Sequence, residues 1–167
     1  MFVHFLRENT GAAGILFIIR LFLGYQWITA GWTKITSGFD ANGFLQGAVE
    51  SASGEHPAVQ GWWATFLDGV AIPNVEFFNV LIPWGEFLVG LGLILGTFTT
   101  FAAFMGIVMN FAFLFSGTTS TNPMMVILGM LILIAGYNAA KIGLDRWLIP
   151  FIKKSIHMRQ VKPVLHH

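Results

Sequence analysis

Hydrophobic positions in this chain gather into four long runs separated by three polar breaks of very different length. The first run is AAGILFIIRLFLGYQWITAGW, about residues 12–32. The second covers about 74–96, the third about 99–117, and the fourth about 123–140 through MMVILGMLILIAGYNAA. Each is close to the length a helix needs to cross a hydrocarbon core of about 30 Å. The break TFTT, residues 97–100, is a tight polar turn, so runs two and three are antiparallel neighbours. SGTTSTNP, residues 116–123, is a short hydroxyl-rich loop whose Pro123 suits the first turn of a helix. The remaining break, residues 34–73, is long for a helical bundle. Within it GFLQGAVES and VQGWWATFLDGV are patterned as short helices lying at an interface. The pattern predicts an all-α integral membrane protein: a four-transmembrane-helix bundle with short interfacial helices in the long connection between spans one and two.

Composition strengthens that reading. Of the 167 residues, 55% are hydrophobic and only 10% charged, with 17 Phe and 6 Trp. A soluble domain carries about 25% charged residues. The start, MFVHFLRENT, carries Arg7 beside Glu8 and leads into no cleavage-like segment, so the first run is expected to remain as a helix. There is no cysteine, hence no disulfide, thiolate ligand or redox thiol from this chain.

Charge predicts the orientation. The long connection holds Lys34 against Asp40, Glu50, Glu55 and Asp68, with Glu76 at the start of the second run. After the fourth run come Lys141, Arg146, Lys153, Lys154, Arg159 and Lys162 against Asp145 alone. The positive-inside rule makes this tail cytoplasmic and so places both termini inside. Trp32, Trp62, Trp63 and Trp147 fall where interfacial aromatic belts are expected. A bundle domain of residues 1–150 is followed by a basic tail, 151–167, whose final His166 and His167 read as a tag remnant.

Strongly polar residues inside the runs are few: Arg20, Gln26, Asn79, Glu86, Asn110 and Asn138. Such residues usually face the interior of a bundle, because exposing them to lipid is costly. Counted from the nearest inner end, Arg20 lies roughly 12 Å deep, Glu86 roughly 15 Å and Asn110 roughly 16 Å, which puts them in one layer. An Arg20–Glu86 pair follows, read either as a structural ion pair setting helix register or as a proton-accepting and anion-binding site. Gln26 and Asn79 form a second layer nearer the outer surface. Asn110 reads first as a helix–helix hydrogen bond and second as a ligand contact. Asn138 and Lys141 lie near the inner surface, where Lys141 can snorkel and, as an i, i+4 partner, meet Asp145. Gly24, Gly31, Gly85, Gly90, Gly92 and Gly96 permit close helix packing. Met105, Met109, Met124, Met125 and Met130 read as core filler. His4, His56, His157, His166 and His167 are too scattered for a metal site, and no phosphate loop or nucleophile–His–acid pattern is present.

RLFLGYQWITAGWTKI, NVEFFNVLIPWGEFLVGLGLILGTFTTFAA and NPMMVILGMLILIAGYNAAKIGLDRWL together resemble the DoxX superfamily over nearly the whole chain up to Pro150. They are most similar to its DoxD-like branch, named for a subunit of thiosulfate:quinone oxidoreductase. The resemblance implies a four-helix protein of a bacterial or archaeal cell membrane, working with menaquinone or ubiquinone as a diffusible substrate; with no cysteine and no haem or flavin motif in the chain, no bound metal, haem or flavin is expected. It carries over to Arg20, Glu86, Asp145 and Arg146. On this reading Glu86 and Arg20 are the catalytic candidates. A quinone pocket would draw on Gln26, Trp27, Asn79, Trp84 and Asn110, an apolar cleft with a few convergent polar groups. Asn138, Lys141, Asp145 and Arg146 are structural polar residues. Lacking its own redox group, the chain either brings thiosulfate and quinone together directly or relies on a second redox subunit. The lipid bilayer is its other partner, a homodimer is compatible with the Gly-rich faces, and nucleic acid is not expected. Two alternatives stand beside this one: a non-enzymatic membrane scaffold or assembly partner of a redox complex, and a small-solute or lipid transporter.

Overall fold

The computed structural model describes residues 1–160, which are helical with no strand among them. Lys162, His166 and His167 of the basic tail lie outside the described residues, as do the side chains of His157 and Arg159. A short helix α1 (Phe2–Glu8) is followed by the long α2 (Thr10–Ser37). The long connection holds α3 (Asn42–Glu50) and α4 (Gly61–Phe66), the latter running into a π-helical turn, Leu67–Ala71. Then come α5 (Val75–Leu95), α6 (Thr99–Phe115), α7 (Asn122–Ala135), the one-turn α8 (Tyr137–Ala140) and α9 (Asp145–Gln160).

Two of these helices, α2 with 28 residues and α5 with 21, are long and apolar enough to cross a membrane. The third and fourth runs form apolar helices of 17 and 14 residues, α6 and α7, below the ~20 residues of a full crossing. The fourth run is not one helix over residues 123–140. Gly136, with φ +56°, breaks it, and α8 continues in a new direction. A left-handed φ of this kind is open to glycine at no steric cost, which makes residue 136 a natural break point.

Helix α2 outruns its expected end at Trp32 because no Pro interrupts it and the next break is Gly38, at φ +81°. At its start Asn9 caps it, the side-chain oxygen accepting from the Ala12 amide at 3.1 Å. Thr29, Thr33 and Thr36 return their hydroxyls to carbonyls one turn back, so these groups are satisfied within the helix.

The closest helix pair is α2 against α5, antiparallel. A Cβ on Gly24 would lie 3.0 Å from the Gly90 carbonyl oxygen, and one on Gly31 would lie 2.7 Å from the Pro83 carbonyl oxygen. Small residues let the two backbones meet directly. Gly92 points elsewhere, toward Ala102 of α6. The tight turn expected at TFTT is there: Gly96 and Phe98 take positive φ and the Thr97 amide bonds back to Gly92. Leu16, Leu23, Trp27, Val89, Leu93, Ala103, Met125 and Ile132 form the main core between α2, α5, α6 and α7.

A second core sits under the long connection, built from Leu45, Ala48, Val59, Ala64, Leu67 and Ala71. This connection is therefore a folded cap over one end of the bundle rather than a set of loose surface helices. Asn79 helps hold it, its side-chain oxygen accepting from the Ala41 amide at 2.7 Å just before α3. Trp63 ties it to the end of α6 through a 2.9 Å bond to the Ser116 hydroxyl.

Candidate functional site

Beside that cap lies a cleft of about 680 Å³ between the C-terminal half of α2, α5, α6 and the start of α7. Trp27, Phe39, Phe44, Phe113 and Met125 supply apolar walls. Thr29, Thr33, Thr118, Ser120 and Thr121 line it with hydroxyl-bearing residues, and Gln26 and Asn122 add two amides. Lys34, Glu86 and Asn110 line it too. Glu86 is 1% exposed, yet its carboxylate is paired: Lys34 Nζ lies 2.8 Å from Oε1 and 2.6 Å from Oε2. Lys34 remains partly open, and its ammonium also faces the Phe39 ring at 5.7 Å.

The expected Arg20–Glu86 pair is not formed. Gly31 meets Pro83 and Phe87, while Arg20 meets Gly96, so Arg20 and Glu86 stand about 15 Å apart along the helix axis. The error has a simple cause. Depths counted from separate helix ends assume that the ends are flush, whereas α2 begins well before the level at which α5 stops. The first turns of α2 pack instead on α1, α7 and α8. Glu86 and Asn110 do share a layer, and its basic member is Lys34.

Arg20 belongs to a separate construction at the other end of the bundle. Nη1 donates to the Ala139 carbonyl at 2.9 Å and Nη2 to the Ile142 carbonyl, which clamps the segment between α8 and α9 onto α2. Beside it the backbones of Gly96 and Gly143 touch: a Cβ on Gly96 would lie 2.8 Å from the Gly143 Cα and 2.6 Å from Arg20 Nη1. Leu144 and Asp145 donate their amides to Leu95 and Gly96 across this contact. The Asp145 carboxylate then accepts from the Phe98 and Thr99 amides, 2.8 Å each, and so caps the start of α6.

The remaining expected residues divide between these two ends and the surface. Gln26, Trp27 and Asn110 line the cleft. Asn79 and Trp84 do not. Asn79 is engaged by the cap, and Trp84 is half exposed on the outer side of α5, against Phe87. Asn138 donates to the Leu6 and Asn9 carbonyls at 2.8 and 3.0 Å, fastening the α1–α2 junction to α8. Lys141 is exposed and forms no ion pair with Asp145, because residues 141–144 are not helical and the i, i+4 geometry does not apply. Arg146 is exposed, lying over the Trp147 ring at 6.0 Å.

Lys34 is the cleft residue that the hydrophobic pattern does not mark, because the first run stops at Trp32 and leaves Lys34 in the connection. The signal was present in the spacing. Arg20, Leu23, Gly24, Trp27 and Gly31 are the buried stripe of α2, and the next step of three or four lands on Lys34.

Asn110 completes the site. It is 1% exposed, and its Oδ1 has no hydrogen-bond partner among the described residues. Buried polar atoms are normally paired, so an unpaired one in the wall of a cleft marks a place where a ligand can supply the bond. No group of three or more His, Cys, Asp or Glu residues able to hold a metal occurs among the described residues.

Long apolar helices, a folded cap and a cleft with a charged pair in its wall make an all-helical bundle with an internal cavity. The chain belongs to the DoxX family, whose model matches residues 15–119, and DoxX is a family of membrane proteins. The match takes in Lys34, Glu86, Asn110 and Thr118 but stops before Asn122, Met125 and the Asp145 cap. Comparison with curated proteins and with solved structures finds no match.

Proposed function

We propose that this protein is a quinone-interacting membrane subunit of an oxidoreductase, of the DoxD-like kind. It would cross the cell membrane four times with both termini on the cytoplasmic side. The observation that carries the reading is the unpaired Asn110 Oδ1 beside the Lys34–Glu86 pair in an aromatic-walled cleft. A quinone is a diffusible two-electron carrier whose ring oxygens accept hydrogen bonds when oxidised and bear protons when reduced.

The chain's own groups suit such a head-group. A lysine ammonium has three donors, and two face the Glu86 oxygens, leaving one for a ring carbonyl. Glu86 can accept a hydroxyl proton from the reduced form, with Lys34 holding the carboxylate in place. The Asn110 oxygen accepts from a hydroxyl, and its amide nitrogen can donate to a carbonyl. Trp27 and Phe113 offer flat apolar surfaces to the ring. The electron partner is thiosulfate itself or a second redox subunit.

The test is titration of the purified protein with a short-chain menaquinone or ubiquinone analogue, following intrinsic Trp fluorescence. Saturable quenching is expected, weakened at least tenfold in Asn110→Leu and in Glu86→Gln. No saturation, or quenching that neither substitution changes, would remove the proposal.

A second reading, a scaffold whose buried polar residues only fix helix geometry, is favoured at the opposite end of the bundle. There Arg20 spends its guanidinium on the Ala139 and Ile142 carbonyls and reaches no cavity of the size of the cleft.

A further inference from the structure

A second, smaller groove of about 340 Å³ lies between the start of α6 and α9, and it is not part of the cleft just described. Phe98, Phe101, Leu148, Ile149 and Ile152 make it apolar along its length, and Lys153 stands at one end. Its floor contains Asp145, whose charge is committed to the Phe98 and Thr99 amides. Thr99 also lines the groove. It is fully buried, and its Oγ1 has no partner among the described residues. As the first residue of α6 it has no preceding helical turn to which the hydroxyl could bond.

Helix α9 has a matching outer surface. It is held to the bundle through its first turn, by the Leu144 and Asp145 amides and the Asp145 carboxylate. Its outward side exposes Trp147, Phe151 and Ile156 at 65%, 68% and 53%. Arg146, Lys153 and Lys154 are exposed among them, while its one acid, Asp145, is buried. Exposed aromatics interleaved with cations describe a helix lying in a headgroup layer, and the sign of the charge selects anionic lipid.

We propose that the α6–α9 groove is a binding site for one anionic phospholipid, with an acyl chain along Phe101 and Ile152 and the phosphate at Lys153. α9 then lies flat on the leaflet that carries this lipid. The site is independent of what the cleft binds.

The full chain in nanodiscs of phosphatidylcholine, with or without phosphatidylglycerol, provides the test. Native mass spectrometry reads the lipid retained on release, and free glycerol phosphate is added in a separate arm. One phosphatidylglycerol per chain is expected to be retained in preference to phosphatidylcholine. Affinity should fall about fivefold in Lys153→Gln, which lines the groove, and by less than twofold in Lys154→Gln, which does not. Both lysines are exposed, so these variants keep the fold. Thr100→Trp, which fills the groove from an exposed position without changing charge, should abolish retention. Equal retention of the two lipids, or retention unaffected by Lys153→Gln and Thr100→Trp, overturns the proposal. So does full competition by free glycerol phosphate, which would make this a phosphate site with no use for the groove.

Discussion

Lys34 and Glu86 close a two-point ion pair across the α2–α5 contact, with one ammonium serving both carboxylate oxygens at 2.8 and 2.6 Å. The acid is buried and the base is partly open to the cleft, so the pair presents a charged, hydrogen-bonding edge to whatever enters. This arrangement explains why an apolar helix tolerates Glu86. The carboxylate does not meet lipid, and a residue one helix face away compensates it.

Because the two groups compensate each other, their removal should be strongly non-additive. Lys34→Met leaves a buried carboxylate alone, and breaking a buried pair this way costs about 3–5 kcal/mol. The partial exposure of Lys34 puts the expected loss at the lower end. Lys34→Met combined with Glu86→Leu should recover most of it, since an apolar pair of similar volume is often neutral. Unfolding of the three variants in one detergent forms the cycle. Additive losses would mean that the pair is not coupled in solution.

Arg20 gives the opposite expectation for binding. Arg20→Lys keeps the charge but loses the rigid two-nitrogen fork that spans the Ala139 and Ile142 carbonyls, and hydrogen bonds to charged groups are worth about 1.5–3 kcal/mol each. A drop in thermal stability of that order is expected. Quinone-analogue affinity of the folded protein should change less than twofold, because Arg20 lies about 15 Å from the cleft acid. A tenfold loss of affinity at full folding would return Arg20 to the binding site.

Much of the architecture was legible because hydropathy and turn chemistry are local. The bounds of α5 and α6 and the turn at residues 97–100 fall within about two residues of those read from the sequence. GFLQGAVES and GWWATF are helical as patterned. What failed was the non-local part. The Arg20–Glu86 pairing required the axial offset between α2 and α5, which is set by Gly24, Gly31 and Gly90 interlocking and cannot be counted from helix ends. Lys141 with Asp145 required a continuous helix, and the chain instead turns there to bring Gly143 against Gly96. Lys34 was hidden by treating the end of the hydrophobic run as the end of the helix.

Asp145 offers a direct check on that turn. Its two carboxylate oxygens cap α6, so Asp145→Ala should cost about 1–2 kcal/mol, as loss of a helix cap does. Asp145→Asn keeps one acceptor oxygen and should recover part of the loss. Equal midpoints for the two variants, or no loss in either, would show that the cap contributes nothing to stability.

The offset between α2 and α5 can itself be tested by one methyl group. A Cβ on Gly31 would lie 2.7 Å from the Pro83 carbonyl oxygen and 2.9 Å from the Phe87 Cα, both backbone atoms that no rotamer change can move. Gly31→Ala must therefore push the helices apart one turn from Lys34 and Glu86. Gly14, in the same helix, has nothing within 4 Å of its notional Cβ. Gly14→Ala should be neutral or stabilising by up to about 1 kcal/mol, the helix-propensity difference. Gly31→Ala should lower the unfolding midpoint and also weaken quinone-analogue binding, because it lengthens the ion pair in the cleft wall. Matching behaviour of the two alanine variants would mean that α2 and α5 are not in contact at Gly31, and the register that joins Lys34 to Glu86 would fall with it.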